Sequence, residues 1–190
     1  MLYFWNEEIN VMKYSFALLL IIIIAFWGCE KDDICSEDTE TTPRLILRFY
    51  DNDNPENIKT VPNILVNGLG SNFIVDDLDG SVSRDSIVLP LKTNALETQF
   101  RIYKDFSYDD NGTPDDTTDD IIGGNEDILT VDYNVEFVYI SRACGYKTIF
   151  TEVILTIEDD GDNWILNTQP VNDDFQNIEN ERAAHFQIFH

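Results

Sequence analysis

The strongest constraint in the chain is an alternation. Leu129, Val131, Tyr133, Val135, Phe137 and Tyr139 recur at every second position against Thr130, Asp132, Asn134 and Glu136. Successive side chains of an extended backbone point to opposite faces, so this spacing predicts one long strand with a buried face and a solvated one. A helix would scatter the same residues around its circumference. A second apolar set, Ile149, Val153, Leu155 and Ile157, follows after Ser141-Arg142-Ala143-Cys144-Gly145. Together they predict an antiparallel hairpin closed by a five-residue loop.

Shorter runs extend the pattern in both directions. Leu45, Leu47 and Phe49 alternate with Arg44, Ile46 and Arg48, and Asp51–Pro55 breaks the strand. The segment Ile58–Val66 contains Pro62, which suits an edge strand or a bulge, and Asn67-Gly68 reads as its closing turn. Phe73–Val75 and Ser86–Leu91 are short strand signals on either side of Asp76-Asp77-Leu78-Asp79-Gly80, which reads as a loop. Phe100 and Ile102 share one face of a further strand, Asp159–Asp162 turns the chain into Trp164-Ile165-Leu166, and Ala184–Phe189 supplies the last strand. Outside the first segment, only Asp174–Arg182 suggests a short turn of helix. Seven to nine strands at this spacing predict an all-β fold: an antiparallel β-sandwich, Ig-like or similar, as a single domain over residues 44–190.

The first segment has a different character. From Phe16 to Trp27 every residue is apolar. The run is short for a membrane-spanning helix, which needs about 20 residues, and suits the hydrophobic region of a signal peptide covering residues 1–28. Met12-Lys13 makes a better start than Met1, because Glu7 and Glu8 would place negative charge where a signal peptide wants positive. Gly28-Cys29 then resembles a lipobox, although Phe26 and bulky Trp27 depart from the usual pattern. The resemblance implies that Cys29 becomes the lipid-bearing first residue of the mature chain. Lys31, Asp32 and Asp33 are similar to the export signal of surface-displayed lipoproteins of the Bacteroidetes type. The plain alternatives are an uncleaved anchor or an ordinary signal peptide, followed by a charged, solvated tether. Each places the folded part outside the cytoplasm, with residues 29–43 as the tether.

Asp85-Ser86-Ile87-Val88-Leu89-Pro90-Leu91, the long strand to Tyr139, and Ser141–Tyr146 resemble an uncharacterised family of Bacteroidetes-type outer-membrane lipoproteins, over roughly residues 29–190. The resemblance implies an outer-membrane location, cell-surface exposed or otherwise periplasm-facing, and one folded domain. It implies no activity.

Charge narrows the partners. Asp and Glu outnumber Lys and Arg by 36 to 12, a net charge of −24. Such a body repels nucleic acid and does not adsorb directly to anionic lipid; it favours cations, basic partners or simple solubility.

Few residues carry chemistry. Besides Cys29, the cysteines are Cys35 and Cys144, which an oxidising compartment would join, unless they lie too far apart. Asp109–Asp120 is dense in carboxylates around a turn and offers Asp109, Asn111, Asp115, Asp116, Asp119 and Asp120 as oxygen ligands for Ca²⁺. It departs from an EF-hand loop, with Pro114 at the glycine position and Asp120 at the closing Glu, and its alternative is a solvated hairpin insertion. His185 and His190 read as an exposed strand residue and a chain end. The sequence has no Gly-rich phosphate loop, zinc-ligand spacing or nucleophile elbow. The expectation is therefore a non-enzymatic binding or structural module of the outer membrane, meeting a protein or glycan ligand. The alternatives are an accessory subunit of a periplasmic envelope complex and, third, an enzyme with an unrecognised site.

Overall fold

A computed structural model describes residues 34–71, 73–171 and 177–190, together with residue 19. The signal-peptide segment, Cys29 and Lys31-Asp32-Asp33 lie outside the described residues, as does the first part of Asp174–Arg182. Its remainder forms bends and a bridge at Ile178 rather than helix.

Among the described residues nine strands run in chain order: β1 (Leu45–Tyr50), β2 (Leu65–Gly68), β3 (Ile74–Asp79), β4 (Ser86–Leu89), β5 (Glu97–Asp109), β6 (Ile121–Ser141), β7 (Gly145–Ile157), β8 (Asn167–Pro170) and β9 (Phe186–Phe189). They build a four-stranded sheet, β4-β1-β9-β8, and a five-stranded sheet, β3-β2-β5-β6-β7. β1 pairs antiparallel with β4, β2 with β3 and β5, β5 with β6, and β8 with β9, whereas β1 and β9 run parallel, with Leu47 opposite Phe186 and Tyr50 opposite Phe189. The fold is an all-β sandwich.

The chain divides into two compact units. Glu40–Val138 with Lys147–His190 forms the larger. Its core takes Leu45, Leu47, Phe49, Ile87, Leu89, Phe186 and Ile188 from one sheet and Val66, Phe100, Ile102, Leu129, Val131, Tyr133, Phe150 and Val153 from the other. Connecting segments add Val61, Ile64, Trp164, Ile165 and Ile178. Alternation explains β1, whose odd-numbered residues are buried and whose even-numbered residues are half-buried. Of the described residues, the smaller unit contains Tyr139–Tyr146, the hairpin tip, and the segment ending at Thr39.

Several expected boundaries shift, for physical reasons. Asp76–Gly80 is not a loop, since Asp76–Asp79 belongs to β3. Asp77 takes a left-handed φ of 52°, which drops one residue out of the pleat, so Val75 and Leu78, three apart, are both buried. Asn67-Gly68 is not a turn, because both residues pair with β5, opposite Arg101 and Phe100. The chain turns at the following residues, where Gly70 adopts φ 76°. The β6–β7 connection is Arg142-Ala143-Cys144, tighter than expected because Ser141 ends β6 and Gly145 begins β7 with φ 71°. Phe137 and Tyr139, expected on the buried face, are 67% and 58% exposed. At 21 residues β6 far outruns the 6-residue β1, so only its middle can find a facing sheet to cover it.

β5 and β6 also slip register between Lys104 and Ser107, where Asp105 has φ 55°. The displaced Asp105 and Phe106 N–H groups donate to Pro62 O at 2.9 Å and Asn63 O at 3.0 Å, so the bulge ties the Pro62 segment to the sheet. Opposite it sits Gly124, φ 111°, where an added Cβ would lie 2.8 Å from the Lys104 carbonyl oxygen. Gly124→Ala is expected to destabilise by about 1–3 kcal/mol, through overpacking against backbone that cannot swing away. Urea unfolding of the variant checks this, and an unchanged midpoint would contradict it.

Candidate functional site

The acidic insertion is the hairpin loop of β5 and β6. Its flanking ribbon pairs Ser107–Asp109 with Ile121–Gly123. Carboxylates in short polar loops accept from nearby backbone N–H groups, and these do. Asp109 Oδ1 accepts from Asn111 N at 2.9 Å, and Asp110 Oδ1 from Gly112 N at 3.0 Å. Asp116 Oδ1 accepts from both Thr118 N and Thr118 Oγ1, which holds its carboxyl below the usual range. Asp119 gathers Thr113 Oγ1 at 2.8 Å and Asn111 Nδ2 at 3.3 Å, and Asp120 accepts from the Tyr108 hydroxyl at 2.8 Å. Asp115 lies exposed in the loop. The six expected calcium ligands thus share one loop. Among the described residues, no three His, Cys, Asp or Glu groups converge as they would around a metal ion.

Cys35 and Cys144 are joined by a disulfide, with Cα atoms 4.9 Å apart across a sequence separation of 109. The bond ties the segment before β1 to the β6–β7 tip. Cys144 N also donates to Ser141 Oγ at 3.0 Å, which closes the tip locally.

Both histidines are buried, 2% and 5% exposed, against the expectation of an exposed strand residue and a chain end. His185 Nδ1 accepts from Ile46 N at 2.9 Å, while its Nε2–H faces Asn180 O at 2.9 Å, a pairing that suits the neutral ring. Burial holds its pKa below the ordinary histidine value. His190 sits edge-on to Phe49 and Trp164, with ring centroids 6.0 and 5.6 Å away. Neither of its ring nitrogens has a hydrogen-bond partner among the described residues. Burial, with Lys104 nearby, pulls its pKa down to about 4.

Asp127 was not distinguishable from the other carboxylates of the sequence. It is fully buried, accepting from Ile165 N at 2.7 Å, Trp164 N at 3.3 Å and Asn163 Nδ2 at 3.3 Å. Burial raises its pKa despite these donors. It fastens the connection after β7 onto β6, a structural task. Beside it, Glu126, Ile128, Glu158 and Asp160 line an open cavity of about 160 Å³. Small-molecule sites generally start near 300 Å³. Glu126 is already engaged by Arg101 Nε at 2.8 Å and by the Tyr103 hydroxyl.

The hairpin tip carries an exposed aromatic pair. Tyr139 and Tyr146 are 58% and 67% exposed, edge to face at 5.3 Å. The alternation that places Tyr139 on a strand is visible in the sequence, but its exposure is not.

Residues 63–190 match the model of a protein family described as of unknown function, DUF6452. The match starts after β1, although β1 lies between β4 and β9 in the sheet. No curated protein and no solved structure matches the chain.

Proposed function

The chain belongs to DUF6452, a family of unknown function, and from that premise we propose that it is a lipid-anchored, non-enzymatic binding or structural module of the outer membrane, of Bacteroidetes type and facing the cell exterior. One juxtaposition carries the reading: an apolar run ends at Cys29, six residues before a cysteine held in a disulfide. The run suits export, and disulfides persist where export leads. Lys31-Asp32-Asp33 after Cys29 supports passage to the outer face. A net charge of −24 favours a basic or neutral partner over a polyanion.

Metabolic labelling with an alkyne fatty acid in the native cell tests the anchor. The wild-type chain is expected to take up label and to fractionate with membranes. Cys29→Ala is expected to lose the label and leave the membrane fraction, and a Cys29→Ala chain that keeps its label would refute the assignment. Replacing Lys31, Asp32 and Asp33 with Ala is expected to retain the label while abolishing cleavage by protease added to intact cells. Cleavage unchanged by that replacement would show that Lys31, Asp32 and Asp33 do not direct surface display, and a wild-type chain resistant to the added protease would return the domain to the periplasmic side.

A further inference from the structure

We propose that the β6–β7 tip rests on the lipid surface that carries the anchor, with Tyr139, Arg142 and Tyr146 as the contacting side chains. The inference rests on lipidation of Cys29. Chain length supplies the argument. Cys29 and Cys35 are only six positions apart, and an extended chain covers at most about 3.5 Å per residue, so the two lie within about 21 Å of each other. The Cys35–Cys144 bond adds 4.9 Å between Cα atoms. The tip is thereby kept within a short reach of the acyl chains, whatever path the intervening residues take. Without the bond, the first attachment by ion pair would be Glu40, held by Lys147 at 2.8 Å and Arg182 at 2.6 Å, eleven residues along, or about 39 Å of extended chain.

The tip is chemically suited to that place. Between Glu136 and Glu152 the sequence contains no carboxylate, in a protein with three acidic residues for each basic one. The tip's own strands and turn therefore add no negative charge, while Glu37 and Asp38 on the joined segment do. Arg142 stands exposed in the turn and matches a phosphate. Tyr139 and Tyr146, exposed and packed edge to face, present apolar rings with hydroxyl ends, the chemistry that tyrosine uses at the level of lipid head groups.

The test uses the full lipidated protein in vesicles of phosphatidylethanolamine and phosphatidylglycerol with brominated acyl chains. Tyr146→Trp adds an emitter at the tip, and the buried Trp164 serves as internal reference. Most of the added emission is expected to be quenched, and reduction of the disulfide is expected to restore it while the Trp164 emission stays constant. Tyr139→Trp repeats the measurement from the neighbouring strand. If the protein remains on the vesicles but neither added emitter is quenched, the docking is overturned. Quenching that reduction leaves intact overturns the role of the disulfide in holding the tip down. If the protein does not stay with the vesicles at all, the anchor at Cys29 fails, and the docking with it.

Discussion

Reduction of the Cys35–Cys144 bond, or Cys144→Ser, is expected to lower the stability of the fold by about 4–5 kcal/mol. The effect acts through the unfolded chain. A link across a sequence separation of 109 removes most of the ways in which the two ends can wander apart, and the loss of that restriction scales with the logarithm of the loop. At this loop length the bond is worth as much as a large core side chain. Urea unfolding with and without reductant measures it directly. The midpoint should fall by several tenths of its value and the slope should rise, since the unfolded chain freed of the link is more expanded and exposes more surface. An identical midpoint in both conditions would mean that the bond contributes nothing to folding. Production in a reducing compartment should yield the less stable form.

The second large effect is one of pH. A buried histidine held neutral lowers the native state's appetite for protons, while the unfolded chain takes them up near the ordinary value. His190 has a folded pKa of about 4 against a reference of 6.5. Its contribution is therefore complete above pH 6.5 and is lost as pH falls from there toward 4. Linkage gives a loss of about 2 kcal/mol by pH 5 and about 3 kcal/mol by pH 4. His185, also held down by burial, adds in the same direction. The carboxylates held low by hydrogen bonds and cations, Glu40, Asp51 and Glu181, act only at more acid pH, and buried Asp127 acts with the opposite sign. His190→Phe is the discriminating variant. It keeps an aromatic ring between Phe49 and Trp164, and it removes two nitrogens that make no hydrogen bond among the described residues. Its unfolding midpoint should exceed that of the parent at pH 5 and change less between pH 7.5 and pH 5. A variant with the parent's pH slope would show that His190 is not the responsible group.

The fold class and most strands were legible because period-two patterning registers burial on one face. β1 and the middle of β6 follow it without exception. It failed where a left-handed residue inserts an extra step. At Asp77 the step joins Val75 and Leu78 on the buried side of what read as a loop, and at Glu152, φ 54°, it lies between buried Phe150 and Val153. Phe150, fully buried and edge-on to Tyr133 at 5.0 Å, was invisible to a strict alternation. Non-glycine residues rarely adopt this conformation, so neither position announces itself in sequence. Of the site residues, the cysteine pair was readable because two cysteines admit one bridge. The ligating capacity of Asp109–Asp120 was not, because composition counts carboxylates without saying which backbone N–H groups they serve. The burial of His185 and His190 depends on contacts with Ile46, Phe49 and Trp164, all distant in the chain.

The parallel pairing of β1 with β9 sets a timetable. Residues 45–50 are synthesised well before their partners 186–189, which come after every other strand of the two sheets described. Until the latter arrive, β1 has β4 on one side and a bare edge on the other, and β8 has nothing to join. Contacts so remote in sequence form late and slowly. The four-stranded layer therefore cannot zip up on a nascent chain before β9 is made, and until then it offers two open strand edges to whatever meets the chain.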